Sequence, residues 1–324
     1  MSDRTLLVLA EDDVRALLDM RSCIAAMEAA LAGLARGELV MPLRFVVNPG
    51  GETLMGLMPA YRGGESPVFA LKDIVIAPGN SARGLDPHQG GVLVHDGVTG
   101  ELVALLNASP ITEIRTAAVS AVATKLLARD GSRSVAILGS GVQGRSHAIA
   151  MREVIPDVDL RVWSRTPAHT EALALEAHGL ACASAEDAVR DADVVCVCTA
   201  SREPVLELEW LAPGTHVNAV GSSSPWACEV APALFAAASV FVDRRESTVS
   251  ESGDYLRAVE REGIGPDHLL AELGDLLTGA HRGRSSATEL TLFKSLGLAV
   301  EDLAAAELVV ARAHEQRVGV EVPF

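Results

Sequence analysis

Residues 134–147, SVAILGSGVQGRSH, set Gly139, Gly141 and Gly144 directly after an apolar run and directly before a segment of helical spacing. In a strand–turn–helix of this kind the first glycine allows a tight turn, the second lets the backbone approach a pyrophosphate, and the third lets helix and strand pack closely. The phosphates then lie on the helix N-terminus. The pattern is weak alone and gains weight from DLRVWS at 159–164, a second apolar run at the spacing of a βαβ unit. Further β-type runs follow in ADVVCVCTA (192–200), THVNAV (215–220) and SVFVD (239–243), among helical segments that run to about residue 154 and over 168–178. Five strands alternating with helices predict an α/β fold with a doubly wound parallel sheet of the Rossmann type. One long helical segment is expected over 286–317, where Leu292, Leu296, Ala299, Leu303, Ala306 and Val310 recur at helical spacing.

Upstream of the glycine-rich turn, RDGSRS (129–134) is a polar break that reads as a domain junction. Before it, residues 11–36 carry two helices, with Val14, Leu17 and Leu18, then Ile24, Met27, Leu31 and Leu34 on their apolar faces and Gly37 as the stop. From 41 to 107 the runs LRFVV, TLMGLMPA, VFALKDIVIA, GGVLVHD and ELVALLNA are divided by Gly, Pro and Asn, and HDGVTGE marks a hairpin. This is the pattern of a mostly antiparallel sheet. The expected domains are therefore 1–129 and a nucleotide-binding domain over 130–299.

A chain of 324 residues that is 49% apolar is long enough for two domains with real cores. Its 27 Lys and Arg stand against 43 Asp and Glu, and a net charge of -16 repels a nucleic-acid backbone. No run of 18 apolar residues offers a membrane span, and the opening MSDRTLLVLAEDD meets acids after six apolar residues, too soon for a signal-peptide core. The expectation is a cytoplasmic protein with neither nucleic acid nor membrane as a partner. Five cysteines (23, 182, 196, 198, 228) fit reduced thiols, and the C-x-C of Cys196 and Cys198 has no second ligand pair nearby, so no metal is expected.

The second strand of the nucleotide domain ends in Ser164, Arg165 and Thr166, where an acid would bind the ribose 2′-hydroxyl of NAD. A guanidinium flanked by hydroxyls offers donors to a 2′-phosphate, which favours NADP(H) over NAD(H). Three further cations sit in apolar settings. Arg115, in ITEIRTAAVSA (111–121), shares a helical face with Ile111, Ala118, Val119, Val122 and Leu126. Lys72 shares strand parity with Val68, Ala70, Ile74 and Ile76, and Arg44 interrupts the run PLRFVV. A buried charge needs an anionic partner. That partner is either internal, with Asp73 or Glu113 as candidates, or the carboxylate of a small ligand; snorkelling at a strand edge is the third reading. Three such cations together favour the ligand, since Arg suits a bidentate carboxylate and a desolvated Lys can act as acid or base.

The stretches ALKDIVIAPGN (70–80), GLDPHQG (84–90), ITEIRTAAVSA, GSGVQG (139–144), NAVGSSSP (218–225), SGD (252–254) and FKSLGLAVEDLAAA (293–306), taken in order, resemble the ornithine cyclodeaminase and mu-crystallin family. The resemblance implies a homodimer built through the N-terminal α+β sheet domain, which the C-terminal helix (300–324) rejoins, with a Rossmann domain between. It implies hydride exchange between a nicotinamide and the α-carbon of a small amino or imino acid. Carried over by motif, Arg44, Lys72 and Arg115 become the carboxylate-binding and catalytic cluster, and His88 with Gln89 falls in a loop approaching substrate and cofactor. By the same carry-over Val142 and Gln143 contact the pyrophosphate, Thr199 and Val220 the adenosine and nicotinamide sides, and Ser295 with Leu296 closes over the nicotinamide end. The residues before His88 depart from the family's usual Pro-Thr or Pro-Ser, and a loop histidine without a chemical role is the competing reading.

One departure bears on the reaction. Cyclodeaminases of the family carry an aspartate in the turn where this chain has Ser223. Ring closure and loss of ammonia need a proton-handling group there, and a hydroxyl does not act as a base near neutrality. Ketimine reductases of the family also have serine near this point. The sequence therefore points to NAD(P)H-dependent reduction of a cyclic α-imino acid such as Δ1-pyrroline-2-carboxylate or Δ1-piperideine-2-carboxylate. The alternatives are an ornithine or lysine cyclodeaminase, an alanine-dehydrogenase or opine-type reductive amination, and a nucleotide-dependent binding protein without catalysis.

Overall fold

A computed structural model describes residues 4–324; Met1 to Asp3, the start of the first expected domain, lie outside the described residues. The chain divides into two compact units, one of residues up to Arg115 together with Leu298–Phe324, the other Thr116–Gly297. The first division thus falls inside a helix and not at the expected 129/130 break, and the second falls at 297/298 in place of 299/300. The reason lies in side-chain contacts of the helix's later turns. Ser120 meets the buried imidazole of His147 at 2.9 Å, and Thr124 accepts a hydrogen bond from Asn218 at 3.0 Å, so these turns belong with the nucleotide unit.

The first unit runs β1 (Thr5–Leu9), α1 (Glu11–Leu17), α2 (Met20–Ala35), β2 (Leu39–Val40), β3 (Phe45–Val47), β4 (Leu54–Arg62), β5 (Val68–Ile76), β6 (His88–Asp96), β7 (Leu102–Asn107) and the start of α3 (Ala108–Leu127). Its sheet has the order β16-β1-β7-β6-β5-β4-β2, with β3 also on β4, where β16 is Val320–Pro323 from the chain's end. From β7 through β2 the neighbours are antiparallel, as the runs between 41 and 107 predict; β1 instead lies parallel to β7. Strand alternation sorts the faces. Met58, Ala60, Ala70, Lys72, Ile74, Val92 and Val94 are buried on the face that contacts the C-terminal helix α11 (Ala299–Gln316).

The second unit follows as β8 (Ser134–Leu138), α4 (Val142–Val154), β9 (Asp159–Trp163), α5 (Pro167–Glu176), β10 (Leu180–Ala181), α6 (Ala185–Val189), β11 (Val194–Val197), β12 (His216–Ala219), α7 (Pro232–Ala237), β13 (Ser239–Val242), α8 (Arg245–Glu251), α9 (Gly253–Glu262), β14 (Leu269–Glu272), α10 (Leu273–Leu277) and β15 (Thr291–Lys294). Its sheet is parallel throughout, in the order β10-β9-β8-β11-β12-β15-β13-β14. The five expected strands are present, and three more join them. One of the three corrects the sequence reading: Thr291–Lys294 lies inside the expected 286–317 helix, yet it is a strand between β12 and β13. All four of its residues are buried, and a run buried on both faces has no alternation by which to tell strand from helix. The helix itself is Ala299–Gln316.

All five cysteines are unbridged, and Cys196 and Cys198 are buried at β11 and just beyond it. Among the described residues, no helix is long and apolar enough to cross a membrane.

Candidate active site

In the first unit, β5 and α3 bring Lys72 and Arg115 together. Lys72 is inward on β5 because it shares parity with Ala70 and Ile74, and Arg115 is inward on α3 because its face also carries the fully buried Ile111, Ala118 and Val119. Both cations are buried, at 2% and 4% exposure. Their counterions come from the first turn of α11. Asp302 spans the two, its carboxylate 2.8 Å from Lys72 Nζ and 3.0 Å from Arg115 Nε, while Arg115 Nη1 reaches Glu301 at 2.8 Å. Neither carboxylate is exposed beyond 1%.

This changes the sequence argument. The expectation that an incoming carboxylate is what neutralises these cations is overturned as stated, because Glu301 and Asp302 already serve. Of the internal counterions suggested by the sequence, Asp73 accepts a hydrogen bond from Gly91 N at 3.1 Å, and Glu113 pairs with Arg15 at 2.8 Å. Glu301 and Asp302 were missed although the test that singled out Arg115, a charge within an apolar run, applies equally to them in GLAVEDLAAA. Arg44, half-buried just before β3, is close enough to act on the Lys72 ammonium. Lys72 and Arg115 are thus paired within this unit, with the Arg44 guanidinium nearby.

Burial is the largest influence on Lys72 and brings its pKa down to about 8; Asp302 opposes the fall, while Arg115 and Arg44 add to it. The Asp302 carboxyl is held below its ordinary value by Arg115 and Lys72, which outweigh the opposing effect of burial. His88 is the first residue of β6 and Gln89 its second, so both stand at a strand end and not in the expected loop. His88 is 47% exposed, with Asp86 3.9 Å away, and its pKa is lowered by desolvation and by Lys72.

The second unit carries the glycine-rich turn between β8 and α4. Gly139 has φ +119°, and a Cβ there would lie 2.3 Å from Cys198 O; a Cβ on Gly144 would lie 2.1 Å from Gly139 O. Both positions thus need glycine for strand–turn–helix contact. Over Gly141 there is open space, and this residue caps α4 without any side-chain hydrogen bond. The first N–H groups of a 13-residue helix are thereby left facing that space, beside the exposed Val142 and the partly buried Gln143. These features fit a dinucleotide pyrophosphate.

At the end of β9, the Ser164 hydroxyl already engages Thr170 at 2.9 Å and Ser140 at 3.0 Å, so it is not the free donor expected from sequence. Arg165 and Thr166 are exposed, and among the described residues Arg165 has no carboxylate partner. Thr199 follows β11, and Val220 and the exposed Ser223 follow β12. Ser295 and Leu296 are buried just after β15, with Leu296 N donating to Asp243 at 2.6 Å. Gly139, Gly141, Val142, Gln143, Gly144, Ser164, Thr199, Val220, Ser223 and Ser295 all lie at or just beyond the carboxyl ends of β8, β9, β11, β12 and β15, the edge where doubly wound sheets bind ligands.

Comparison with known proteins accords with this arrangement. A model of the ornithine cyclodeaminase/mu-crystallin family matches residues 4–317. The chain is 40% identical to ketimine reductase mu-crystallin of Mus musculus over 289 residues, 87% of this chain and 89% of that one. Among solved structures it is similar to Δ1-pyrroline-2-carboxylate reductase of Thermococcus litoralis in complex with NADH and L-proline, with TM-score 0.92, 33% identity and coverage of 98% and 100%. It is also similar to an archaeal alanine dehydrogenase dimer with bound NAD, with TM-score 0.94, 29% identity and coverage of 99% and 100%. The chain belongs to the ornithine cyclodeaminase/mu-crystallin family.

Proposed function

We propose that this member of the family is an NAD(P)H-dependent reductase of small cyclic α-imino acids, Δ1-pyrroline-2-carboxylate and Δ1-piperideine-2-carboxylate being the substrates to test first. The observation that carries the reading is the buried Lys72–Asp302–Arg115–Glu301 group with Arg44 beside it, two cations held in fixed positions by two carboxylates. The substrate carboxylate docks beside these cations. Arg115, its Nε and Nη1 fixed by two acids, presents a guanidinium with a set orientation, so little side-chain entropy is lost when the substrate arrives.

A bound nicotinamide dinucleotide supplies the hydride to the imine carbon. The protein's part is to keep the C=N nitrogen protonated. Lys72, with a pKa of about 8, is largely an ammonium at neutral pH, and Asp302 fixes its Nζ. His88, lowered from its ordinary value, is mostly neutral there and is the weaker donor. Ser223 has no carboxyl with which to take up protons during ring closure and loss of ammonia, which weighs against a cyclodeaminase. The likeness to an alanine dehydrogenase keeps reductive amination of an open-chain keto acid as the second reading.

The exposed Arg165, without a carboxylate partner among the described residues, and the absence of an acid at the end of β9 in the sequence support NADPH as the preferred reductant. A homodimer is supported by the sheet face of the first unit opposite α11. Register sets Pro59, Leu71, Leu93 and Leu105 side by side across β4, β5, β6 and β7, each part exposed, with Phe69 exposed beside them. Such a contiguous apolar face calls for a partner, and a second copy supplies a matching one.

The deciding experiment follows NADPH and NADH consumption against cyclic imino acids, keto acids with amines, and L-ornithine with NAD. Turnover of the cyclic imines supports the proposal. Turnover of pyruvate with ammonium, and none of the imines, selects the second reading.

A further inference from the structure

The motif SGD at 252–254 and the lysine of FKSLGLAVEDLAAA have no part in the reaction proposed above, yet Asp254 and Lys294 are wholly buried in the nucleotide unit, as is Glu229. Lys294 Nζ stands 3.0 Å from Asp254 Oδ2 and donates to Ala219 O, the last residue of β12, at 3.2 Å. Asp254 Oδ1 accepts from Glu229 N at 2.7 Å and from Val230 N at 3.2 Å. The Glu229 carboxylate then reaches both neighbouring strand ends. Its Oε1 accepts from Thr199 N at 2.5 Å, and its Oε2 accepts from Ser222 N at 2.9 Å and from Gly221 N. These two backbones are in contact, since a Cβ on Gly221 would lie 1.8 Å from Thr199 O.

The sheet order assigns these strand ends a place on the ligand. β9 and β10 lie on one side of β8, and β11 and β12 on the other, so the switch point is at β8. The turn after β8 takes the pyrophosphate and the end of β9 the adenosine ribose, which leaves the ends of β11 and β12 to the nicotinamide half. We infer that Glu229, held by Lys294 and Asp254, is a positioning residue for nicotinamide-dinucleotide binding, fastening the Thr199 loop to the Gly221–Ser223 turn. The inference rests on the reading that this unit binds such a dinucleotide.

A carboxylate is the group the site needs. Three N–H donors converge on two oxygens, so an amide at the same position would set its own NH2 against a donor. The same holds for a protonated carboxyl, whose O–H would find donors where it needs an acceptor. Burial and Asp254 push the Glu229 carboxyl up to about 7, against Lys294 and the Thr199 N–H. The ionisable groups facing it are Lys294 from β15, Asp254 from α9, and the Cys198 thiol, which burial holds far above its ordinary range. Cys228, next to Glu229 in the chain and close to Asp254, is raised to about 12 and stays neutral as well. Glu229, with its carboxyl near 7, changes charge between pH 6 and 8.

The test is equilibrium binding of NADPH and of 2′,5′-ADP, which lacks the nicotinamide half, to the full chain and to Glu229→Gln. The expected result is about a tenfold or greater rise in the NADPH Kd, the scale of a lost charge-assisted hydrogen bond, with the 2′,5′-ADP Kd changed by less than about threefold. Equal NADPH affinity in both proteins overturns the inference, as does an equal loss for both ligands, which marks general disruption. Should the variant not fold, wild-type protein decides: NADPH affinity should fall several-fold from pH 8 to pH 6 while 2′,5′-ADP, corrected for its own phosphate titration, changes less. A profile identical for the two ligands overturns it. A wild-type chain that binds no nicotinamide dinucleotide removes the underlying reading instead.

Discussion

Each unit of the chain buries a cluster of formal charges, and the two clusters are held together in different ways. In the first unit, Lys72 and Arg115 meet Glu301 and Asp302, with Arg44 nearby. In the second, Glu229 and Asp254 face Lys294, so carboxylates are in excess. Backbone N–H groups of Thr199, Gly221 and Ser222 absorb the extra carboxylate, and the protein itself completes that cluster. In the first unit side-chain carboxylates hold the cations, and the proposed substrate carboxylate docks beside them. A buried ionic group that its own backbone completes is a structural clamp, whereas the cluster that gathers cations around Lys72 and Arg115 is the one proposed to meet a ligand carboxylate.

The sharpest way to break this contrast is Arg115→Ala. It should lower kcat/KM through a steep rise in KM, by about 2 to 5 kcal/mol, or some thirty- to several-thousand-fold. An unchanged KM for the imino acid would take Arg115 out of the site. Arg115→Lys, which keeps a cation near Glu301 and Asp302, separates this loss from simple destabilisation: it should melt closer to wild type and still bind substrate poorly.

A pH profile examines the other cation. If Lys72 must be protonated, kcat/KM falls as pH rises through about 8, approaching tenfold per pH unit above it. Asp302 holds the Lys72 pKa up, so Asp302→Asn should move that limb to lower pH. A limb that stays in place assigns the proton to another group.

Smaller effects are expected at the cofactor. Arg165→Asp should shift the NADPH-to-NADH ratio of kcat/KM towards NADH by about tenfold, the scale of one exposed charge-assisted contact. No shift would mean that the 2′-phosphate is read elsewhere. The smallest effect is anticipated for Ser223→Asp, which should leave imine reduction within a few-fold and add at most a trace of ammonia release from L-ornithine, measured by a coupled ammonia assay. Substantial cyclodeaminase activity in that variant would show that a single carboxyl separates the two reactions.

Much of this was readable in the sequence because it depends on neighbours in the chain. The turn at Gly139–Gly144, the end of β9 and the parity of Lys72 are each set within a few residues, and the structure places them accordingly. What escaped was what distant segments bring. Thr291–Lys294 reads as helix because a strand buried on both faces has no alternating pattern, and its neighbours β12 and β13 fix it instead. The strand pairing of β1 with β16 joins the two ends of the chain, and no local pattern announces it. The division inside α3 depends on what Ser120 and Thr124 touch.

The sequence by itself determined that cations would lie in the apolar interior, since helical and strand periodicity point Arg115 and Lys72 inward whatever surrounds them. It also determined that β8 would lead into a glycine-rich turn and a helix. Only the tertiary structure decided which anions meet those cations, because Glu301 and Asp302 approach from nearly two hundred residues away. The same holds for Glu229, Asp254 and Lys294, whose meeting is a product of chain packing. Periodicity fixes the direction of a side chain, but electrostatic partnership depends on distance in space, which the order of residues does not contain.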